Sequence, residues 1–332
     1  MDTILLGDAL TQLKTLPAGI AQTCVTSPPY FGMRDYHVEG QIGLEDTPEA
    51  YTHRLVQVFS EVHRVLRDDG TLWLNLGDSY HGGGYTNHRI NGTNWLENHG
   101  GDRRRTRQAD RIRANPDLKP KDLIGIPWRV AFALQAQGWW LRADVIWSKG
   151  SCLPESVTDR PTRSHEYVFL FTKAQTYFYD QEAIREPLAT SNAQRTTERY
   201  DTSERYGVDN GGNTGLDGLA ARMRSGEHAT RNKRSVWHIN PKPFPAAHFA
   251  VMPSELADVC IRAGSRPGDV VLDPFAGSGT TLAVAKSLGR NYIGIELNPD
   301  YVKIAQERLA PIEEAKDQRD LVMNLGDLPQ EV

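Results

Sequence analysis

Cysteine is scarce in this sequence. Cys24, Cys152 and Cys260 are the three cysteines among 332 residues, and no two of them form a C-x-x-C pair. Such spacing argues against a disulfide framework and against a zinc cluster built on paired thiolates. The histidines of the first 63 residues show no metal-ligand spacing either. We therefore expect buried, reduced thiols and no metal site.

Long hydrophobic runs are also missing. No window approaches the 18 consecutive apolar residues of a membrane-spanning helix. The opening residues, MDTILLGDALTQLK, lack the basic segment and apolar core of a secretion signal. These absences predict a cytoplasmic protein without a membrane partner.

A strong excess of charge of either sign is absent as well. The formal net charge of −4 argues against a protein that coats nucleic acid by bulk charge. Two local runs are nevertheless basic, DRRRTRQADRIR at Asp102 to Arg113 and ARMRSGEHATRNKR at Ala221 to Arg234. Either run alone is equally consistent with a solvated loop. Two of them beside a globular core favour contacts to the phosphate backbone of a nucleic acid.

What the sequence does contain is a regular alternation of strand and helix patterns. With 39% hydrophobic and 24% charged residues, the chain can bury a full core. The predicted strands are Thr3–Leu6, Gln22–Val25, Thr71–Asp78, Trp139–Lys149, His165–Lys173, Asp269–Asp273 and Tyr292–Leu297. The predicted helices run from Pro48 to near Gly70, over Pro127–Gln137, Val251–Arg262 and Leu282–Leu288, and from Pro299 onward. This order predicts an α/β fold with a mostly parallel, Rossmann-like sheet covered by helices on both faces.

Pattern changes along the chain predict three parts. Residues 1–180 form one half of the main domain, with a basic loop at about 81–120. Residues 181–234 are polar and poor in large aliphatic side chains, which is typical of a functional insert. Residues 235–332 form the second half of the main domain.

The stretch DVVLDPFAGSGTTLAVAKSLGRNYIGIEL carries a nucleoside-binding pattern. A strand ends at Asp273, a turn with Gly277 and Gly279 opens a helix, and Glu296 ends the next strand about twenty residues later. Glycines permit positive φ and close approach of a ligand to the backbone. The second acid can accept hydrogen bonds from both hydroxyls of a ribose.

Three other interpretations of this glycine turn are weaker. A phosphate-binding P-loop requires Gly-Lys-Ser/Thr, whereas Gly279 is followed by Thr280 and Thr281. A dinucleotide site favours a third glycine, where Leu282 stands. A plain structural turn leaves Asp273 unexplained. An acid at a strand end repels a pyrophosphate and attracts an ammonium group, so the pattern favours S-adenosylmethionine as the cofactor.

A second stretch, VTSPPYF at Val25 to Phe31, ends an apolar strand in two prolines. Neither Pro28 nor Pro29 can donate a backbone hydrogen bond, so the segment forms a stiff corner. On its own it is equally consistent with an ordinary aromatic-packed turn. No G-x-S-x-G elbow surrounds Ser27, so an activated nucleophilic serine is not indicated.

DPFAGSGTT and TSPPY together resemble the cofactor and catalytic motifs of the DNA amino-methyltransferases, which methylate exocyclic amines of DNA bases. The catalytic motif precedes the cofactor motif, an order that resembles the circularly permuted beta group. LLGDAL, GTLWLNLGDSY, WWLRADVIWSK and HEYVFLFTK fall where that group has lesser motifs, so the resemblance covers most of the chain. Residues 181–234 lie where the group carries its target-recognition region.

The resemblance implies roles for particular residues. The methionine end of the cofactor would lie against four residues of the later motif, Asp273, Phe275, Gly277 and Gly279. Glu296 would hold the ribose and Asp8 would lie near the adenine ring. Thr280 and Asn298 are further cofactor candidates. For Asp8, Thr280 and Asn298, capping of a helix is the structural alternative.

The chemistry of the target explains the catalytic corner. An exocyclic base amine is a poor nucleophile because its lone pair is delocalised into the ring. Acceptors at Ser27 Oγ and the Pro28 carbonyl would turn that lone pair outward, and Pro29 would keep the corner rigid. Tyr30 would stack on a base that has flipped out of double-stranded DNA.

The resemblance also indicates which base is methylated and which partners are expected. Serine before the two prolines is commoner among cytosine-N4 enzymes of the family, so Ser27 favours cytosine N4, with adenine N6 as the alternative. A catalytically silent DNA-binding protein of the same fold is a further alternative. The expected partner is double-stranded DNA, with a separately acting restriction endonuclease as a candidate. A monomer and a homodimer are both compatible with the sequence.

Overall fold

Eight strands form one sheet in the computed structural model, which describes residues 2–81, 118–152, 154–187, 230–241 and 252–311 and the backbone of 89–90 and 93–94. The strands are β1 (Asp2–Leu6), β2 (Ala21–Thr26), β3 (Leu66–Leu76), β4 (Trp140–Ser148), β5 (His165–Thr172), β6 (Val236–His238), β7 (Val270–Asp273) and β8 (Asn291–Glu296). Their order in the sheet is β1-β8-β7-β2-β3-β5-β4-β6. Only β5 runs antiparallel to its neighbours, which confirms the mostly parallel sheet.

Helices cover both faces of this sheet, as predicted for an α/β fold. They are α1 (Ala9–Thr15), α2 (Pro48–Val65), α3 (Ile126–Ala136), α4 (Ser254–Gly264) and α5 (Thr280–Ser287), and residues 299–311 form α6. The first three helices pack with one another over one face, and α4 packs with α5 over the other. The predicted strand pair before the insert is confirmed, because β4 and β5 lie side by side.

Helix α2 shows how local sequence sets an element. The Thr47 hydroxyl accepts a hydrogen bond from the Ala50 N–H at 3.1 Å, and Pro48 occupies the first turn. Apolar residues at helical spacing are fully buried, and each such side chain contributes about 1.5–3 kcal/mol by leaving water. They are Tyr51, Leu55, Val58, Phe59 and Val62.

Two predictions differ from the structure, and one strand was missed. Helix α2 ends at Val65 and not near Gly70, because Leu66 is extended (φ −71°, ψ 146°) and pairs with Ala21 of β2. The edge strand β6 was not predicted, since three residues are too few to show a periodicity. Cys152 is exposed, so the prediction of buried thiols is wrong for this residue.

The chain divides into two compact units, Met1–Tyr179 with Ser235–Val332, and Asp180–Arg234. Of the second unit, residues 180–187 and 230–234 are described, and Glu186–Pro187 pairs there with Thr230–Arg231. Arg231 and Arg234 each donate to Glu186 Oε1 at 2.8 Å. These two arginines of the second basic run thus have a protein partner.

Most of the residues of the two predicted basic segments lie outside the described residues. These are the loop at about 81–120, which includes the run Asp102 to Arg113, and positions 221–229 of the second run. Within the ranges that the structure covers, no helix is long and apolar enough to cross a membrane. The same ranges hold no group of His, Cys, Asp and Glu side chains arranged to bind a metal.

Candidate active site

The two sequence motifs meet at one edge of the sheet. Strands β2 and β7 are parallel neighbours, with Thr23 opposite Val271 and Cys24 opposite Leu272. Because the carboxyl ends of parallel neighbours lie at the same edge, the segments that follow them converge. The Thr26 hydroxyl donates to Asp273 Oδ1 at 2.6 Å, a contact across 247 positions of sequence.

A cavity of about 390 Å³ lies where the motifs converge. Every predicted site residue except Gly279 lines it. These residues are Asp8, Ser27, Pro28, Pro29, Tyr30, Asp273, Phe275, Gly277, Thr280, Glu296 and Asn298. The structure therefore brings the residues predicted for the cofactor and those predicted for the base into a single cleft.

The glycine turn is held from the end of β8. Glu296 Oε2 accepts the Gly277 N–H and Glu296 Oε1 accepts the Asn298 N–H, both at 2.8 Å. Each carboxylate oxygen has a second lone pair and can accept one more donor. Gly277 has φ +52°, and a Cβ built on it would meet no atom within 4 Å. This glycine thus leaves room beside the Glu296 carboxylate.

Asp273 is a buried carboxyl group, only 3% exposed. Burial raises its pKa to about 6, against the opposing effect of hydrogen bonds from Thr26, Thr281 and the Phe275 N–H. Burial also raises the pKa of Glu296, which lines the same cavity. Two buried carboxyl groups that are costly to ionise favour a ligand that carries positive charge.

Two predicted ligand residues also cap helices. Asp8 Oδ1 accepts the N–H of Thr11 at 2.9 Å and its hydroxyl at 2.8 Å, which makes Asp8 the N-cap of α1. Asn298 Oδ1 accepts the Asp300 N–H at 2.9 Å at the start of α6. The capping alternative is what the described contacts show, while both residues still line the cavity.

The remaining predicted cofactor residues support the turn in different ways. Gly279 has φ +77° and starts α5, where an added Cβ would lie 2.9 Å from Ala305 Cβ. Its requirement for glycine comes from this positive φ and from packing against α6. The Thr280 hydroxyl accepts Arg308 Nη1 at 2.8 Å. Phe275 is partly buried and packs against the core.

The catalytic corner is fixed by hydrogen bonds to its backbone and side chains. The Tyr51 hydroxyl of α2 donates to the Pro29 carbonyl at 2.8 Å. Ser27 Oγ donates to the Tyr30 hydroxyl at 3.3 Å, and that hydroxyl donates to Glu166 Oε2 at 2.6 Å. Burial and the Glu166 charge raise the pKa of Tyr30, so its hydroxyl keeps its proton.

Sequence analysis missed several polar residues of the cleft. Asn75 of β3 donates through Nδ2 to Glu166 Oε2 at 3.1 Å, and its Oδ1 lies 3.1 Å from the Tyr30 hydroxyl oxygen. Lys149 forms an ion pair with Glu166 Oε1 and lies 4.5 Å from the ring centre of Trp147. The available signal was a polar residue inside an otherwise apolar strand, as with Asn75 in LWLNL and Glu166 in HEYVFLF.

Comparison with known proteins agrees with this geometry. The model of the N6_N4_Mtase family, described as DNA methylase, matches residues 21–307. The type II methyltransferase M.XycI of Xanthomonas campestris pv. cyanopsidis is 48% identical over 92% of this chain and 87% of its own length. The type II methyltransferase M.Cfr9I of Citrobacter freundii is 47% identical over the same shares.

A solved structure shares the fold at much lower identity. The cytosine-N4-specific PvuII DNA methyltransferase superposes with a TM-score of 0.60 at 19% identity, over 92% of this chain and 86% of that one. The two closely related sequences and the family match place this chain among the DNA methyltransferases. The chain belongs to the N6_N4_Mtase family of DNA methylases.

Proposed function

We propose that this DNA methyltransferase transfers a methyl group to the exocyclic N4 of cytosine in double-stranded DNA, after the target nucleotide has flipped out of the helix. The observation that carries the proposal is the junction of the two motifs, where Thr26 bonds Asp273 and Ser27 lines the same cavity as Gly277. An amine held at Ser27 and a donor held at Gly277 can then react directly.

The family makes S-adenosylmethionine the methyl donor, and the residues of the cleft fit it. When bound, the cofactor supplies a methyl group on a positively charged sulfur. The buried Asp273 carboxyl group suits the ammonium of its amino-acid end. Glu296 has lone pairs left for ribose hydroxyls, and the open side of Gly277 admits the ligand to the backbone.

The opposite wall of the cleft suits a flipped base. Ser27 Oγ and the Pro28 carbonyl supply acceptors for the two amine hydrogens, and the Tyr51 bond to Pro29 holds this corner in place. The Tyr30 ring is available for stacking on the base. A base inside the duplex cannot reach a buried corner, so flipping at a cost of a few kcal/mol is required.

Cytosine N4 is favoured over adenine N6 by the hydroxyl of Ser27. The resemblance supports this choice, because serine before the two prolines is commoner among cytosine-N4 enzymes of the family. Adenine N6 remains the alternative function, because the same hydroxyl can serve either base. Loss of catalysis with retained DNA binding is the second alternative.

One experiment decides among these functions. DNA from cells expressing the protein is digested to nucleosides and analysed by mass spectrometry, with cells expressing Ser27→Ala as the control. We expect N4-methylcytosine in the wild-type sample alone. N6-methyladenine would establish the adenine alternative, and the absence of both modified bases would favour the silent protein.

The proposal also covers base recognition, the location of the enzyme and its partners. DNA is the substrate by family, and we propose that bases are read by residues of the 181–234 segment. We propose a cytoplasmic enzyme that works beside a separately acting restriction endonuclease, as a monomer or a homodimer. Protection of host DNA against such a nuclease, measured by resistance to digestion, tests this context.

A further inference from the structure

Methylation of an amine leaves the nitrogen with one proton too many, and this proton must be removed. The lone pair of the target nitrogen forms the new N–C bond while the electrons of the C–S bond stay with sulfur. The nitrogen is then positively charged until one N–H bond breaks and its electrons return to nitrogen. The neutral Ser27 hydroxyl cannot keep that proton, so it must be joined by hydrogen bonds to a negatively charged acceptor.

A chain of hydrogen bonds leads from Ser27 to one carboxylate. Ser27 Oγ donates to the Tyr30 hydroxyl at 3.3 Å, and the Tyr30 hydroxyl donates to Glu166 Oε2 at 2.6 Å. Both donors point the same way, so each can pass its proton on when it receives another.

The acceptor at the end of this chain is held in place by residues of the two neighbouring strands. Its Oε1 pairs with Lys149 at the end of β4, and its Oε2 accepts Asn75 Nδ2 of β3 at 3.1 Å. Asn75 is itself fixed by a bond to the Tyr167 carbonyl at 3.1 Å. The side chain of Glu166 is 16% exposed, so bulk water reaches it poorly.

The other carboxylates of the cleft are connected differently. In the part of the chain that the structure describes, Asp273 bonds Thr26 and the Phe275 N–H, Glu296 bonds backbone N–H groups, and Asp8 caps α1. Among these cavity residues, Glu166 is the carboxylate that side-chain hydrogen bonds join to Ser27.

We propose that Glu166 is the terminal proton acceptor of a relay from the target amine through Ser27 and Tyr30. The proton of the methylated nitrogen goes to Ser27 Oγ, the Ser27 proton to the Tyr30 oxygen, and the Tyr30 proton to Glu166 Oε2. The products are a neutral methylamine and a neutral Glu166 carboxyl group. Glu166 acts through Tyr30, and the inference rests on the proposed methyl transfer.

The test compares single-turnover methyl transfer to DNA at saturating labelled cofactor over a range of pH. We expect Glu166→Gln and Tyr30→Phe each to lower the rate by about 10²-fold or more, as for loss of a general base. Phenylalanine retains the ring for stacking, so cofactor and DNA affinities should stay within about twofold of wild type. Because both variants break one relay, the double variant should lose no more than either single variant.

The pH profile separates proton transfer from mere positioning. The wild-type rate should depend on pH, while Glu166→Gln should be slow at every pH. The charged and titratable groups around Glu166 are Lys149, Tyr30 and the adjacent His165, whose own pKa is lowered by burial. His165→Asn is the matched control and should keep the wild-type profile.

The outcomes distinguish the inference from the proposed function. Absence of methyl transfer by the wild-type protein would overturn the proposed function before any variant is compared. Wild-type transfer combined with unchanged rates and profiles in Glu166→Gln and Tyr30→Phe would overturn the relay alone. Losses that multiply in the double variant would also overturn it, because two independent roles would then be present.

Discussion

At the scale of single residues, the most informative group is the buried carboxyl group of Asp273. Thr26 and Phe275 bond the same oxygen of it, which locks the end of β7 against the end of β2. This residue therefore has a structural role in the free protein and a proposed electrostatic role toward the cofactor. Lowering the pH should weaken cofactor binding but increase the stability of the free protein.

Cofactor affinity should weaken at low pH. The ionised Asp273 attracts an ammonium group, and protonation through its pKa of about 6 removes that attraction. We expect the Kd for S-adenosylmethionine to rise by up to about tenfold per pH unit below this value. Calorimetric titration across this range measures it. Asp273→Asn should bind weakly with a flatter profile, and a wild-type affinity independent of pH would contradict the assignment.

Stability of the free protein should change in the other direction. The pKa of Asp273 is raised on folding from 3.8 to about 6, so its contribution to stability is fully present below the lower value and is lost as the pH rises through the higher one. Asp273→Asn should thus be more stable than wild type at neutral pH, by about 1–3 kcal/mol. Denaturant melts at neutral and acidic pH measure the difference. An asparagine variant that is less stable at neutral pH would argue that its hydrogen bonds outweigh the burial of charge.

At the scale of elements, the turn between β7 and α5 contains two glycines with different functions. Gly277 faces the open cavity, and Gly279 faces Ala305 of α6. Both have positive φ, so alanine costs about 1–2 kcal/mol at either position. The difference between them lies in what a methyl group would meet.

Alanine variants of these glycines should therefore separate binding from stability. We expect Gly277→Ala to fold with only the backbone cost and to lose cofactor affinity by at least about tenfold, since its Cβ enters the ligand's space. Gly279→Ala should lose about 1–3 kcal/mol more stability because its Cβ would lie 2.9 Å from Ala305 Cβ. Thermal melts and cofactor titration of both variants measure this. A Gly277 variant less stable than the Gly279 variant would contradict the account.

At the scale of the whole molecule, the catalytic motif and the cofactor motif lie at opposite ends of the chain, and strand pairing brings them together. The catalytic strand β2 lies between β7 and β3, so residues 26 and 273 are neighbours in space. The intervening chain includes the compact unit Asp180–Arg234.

Replacement of residues 188–229 by a short Asn-Gly turn tests the proposed role of this segment. Pro187 and Thr230 are paired on neighbouring antiparallel strands, which a two-residue turn can join. We expect cofactor affinity to be unchanged, because the cleft lies in the other unit. Site-specific methylation of DNA should be lost. Retention of the same methylated sequence, read by sequencing with detection of modified bases, would place recognition elsewhere.

Much of the fold and of the cleft was predictable from local patterns. The strands and helices follow from hydrophobic spacing, and the two motifs follow from prolines and glycines whose backbone requirements are visible in a single sequence. The end of α2 at Val65 was not predictable, because the pairing of Leu66 with Ala21 decides it. Strand β6 was not predictable either, because it forms by pairing with its neighbour β4.

The sequence by itself determined the family of chemistry, because Ser27-Pro28-Pro29-Tyr30 and the Asp273 turn each have a local physical requirement. Only the tertiary structure decided which groups complete the cleft. Glu166 and Lys149 reach it because β5 runs antiparallel beside β3 and β4, which no spacing along the chain encodes. Side chains far apart in sequence acquire a joint function when strand pairing brings them within hydrogen-bond distance.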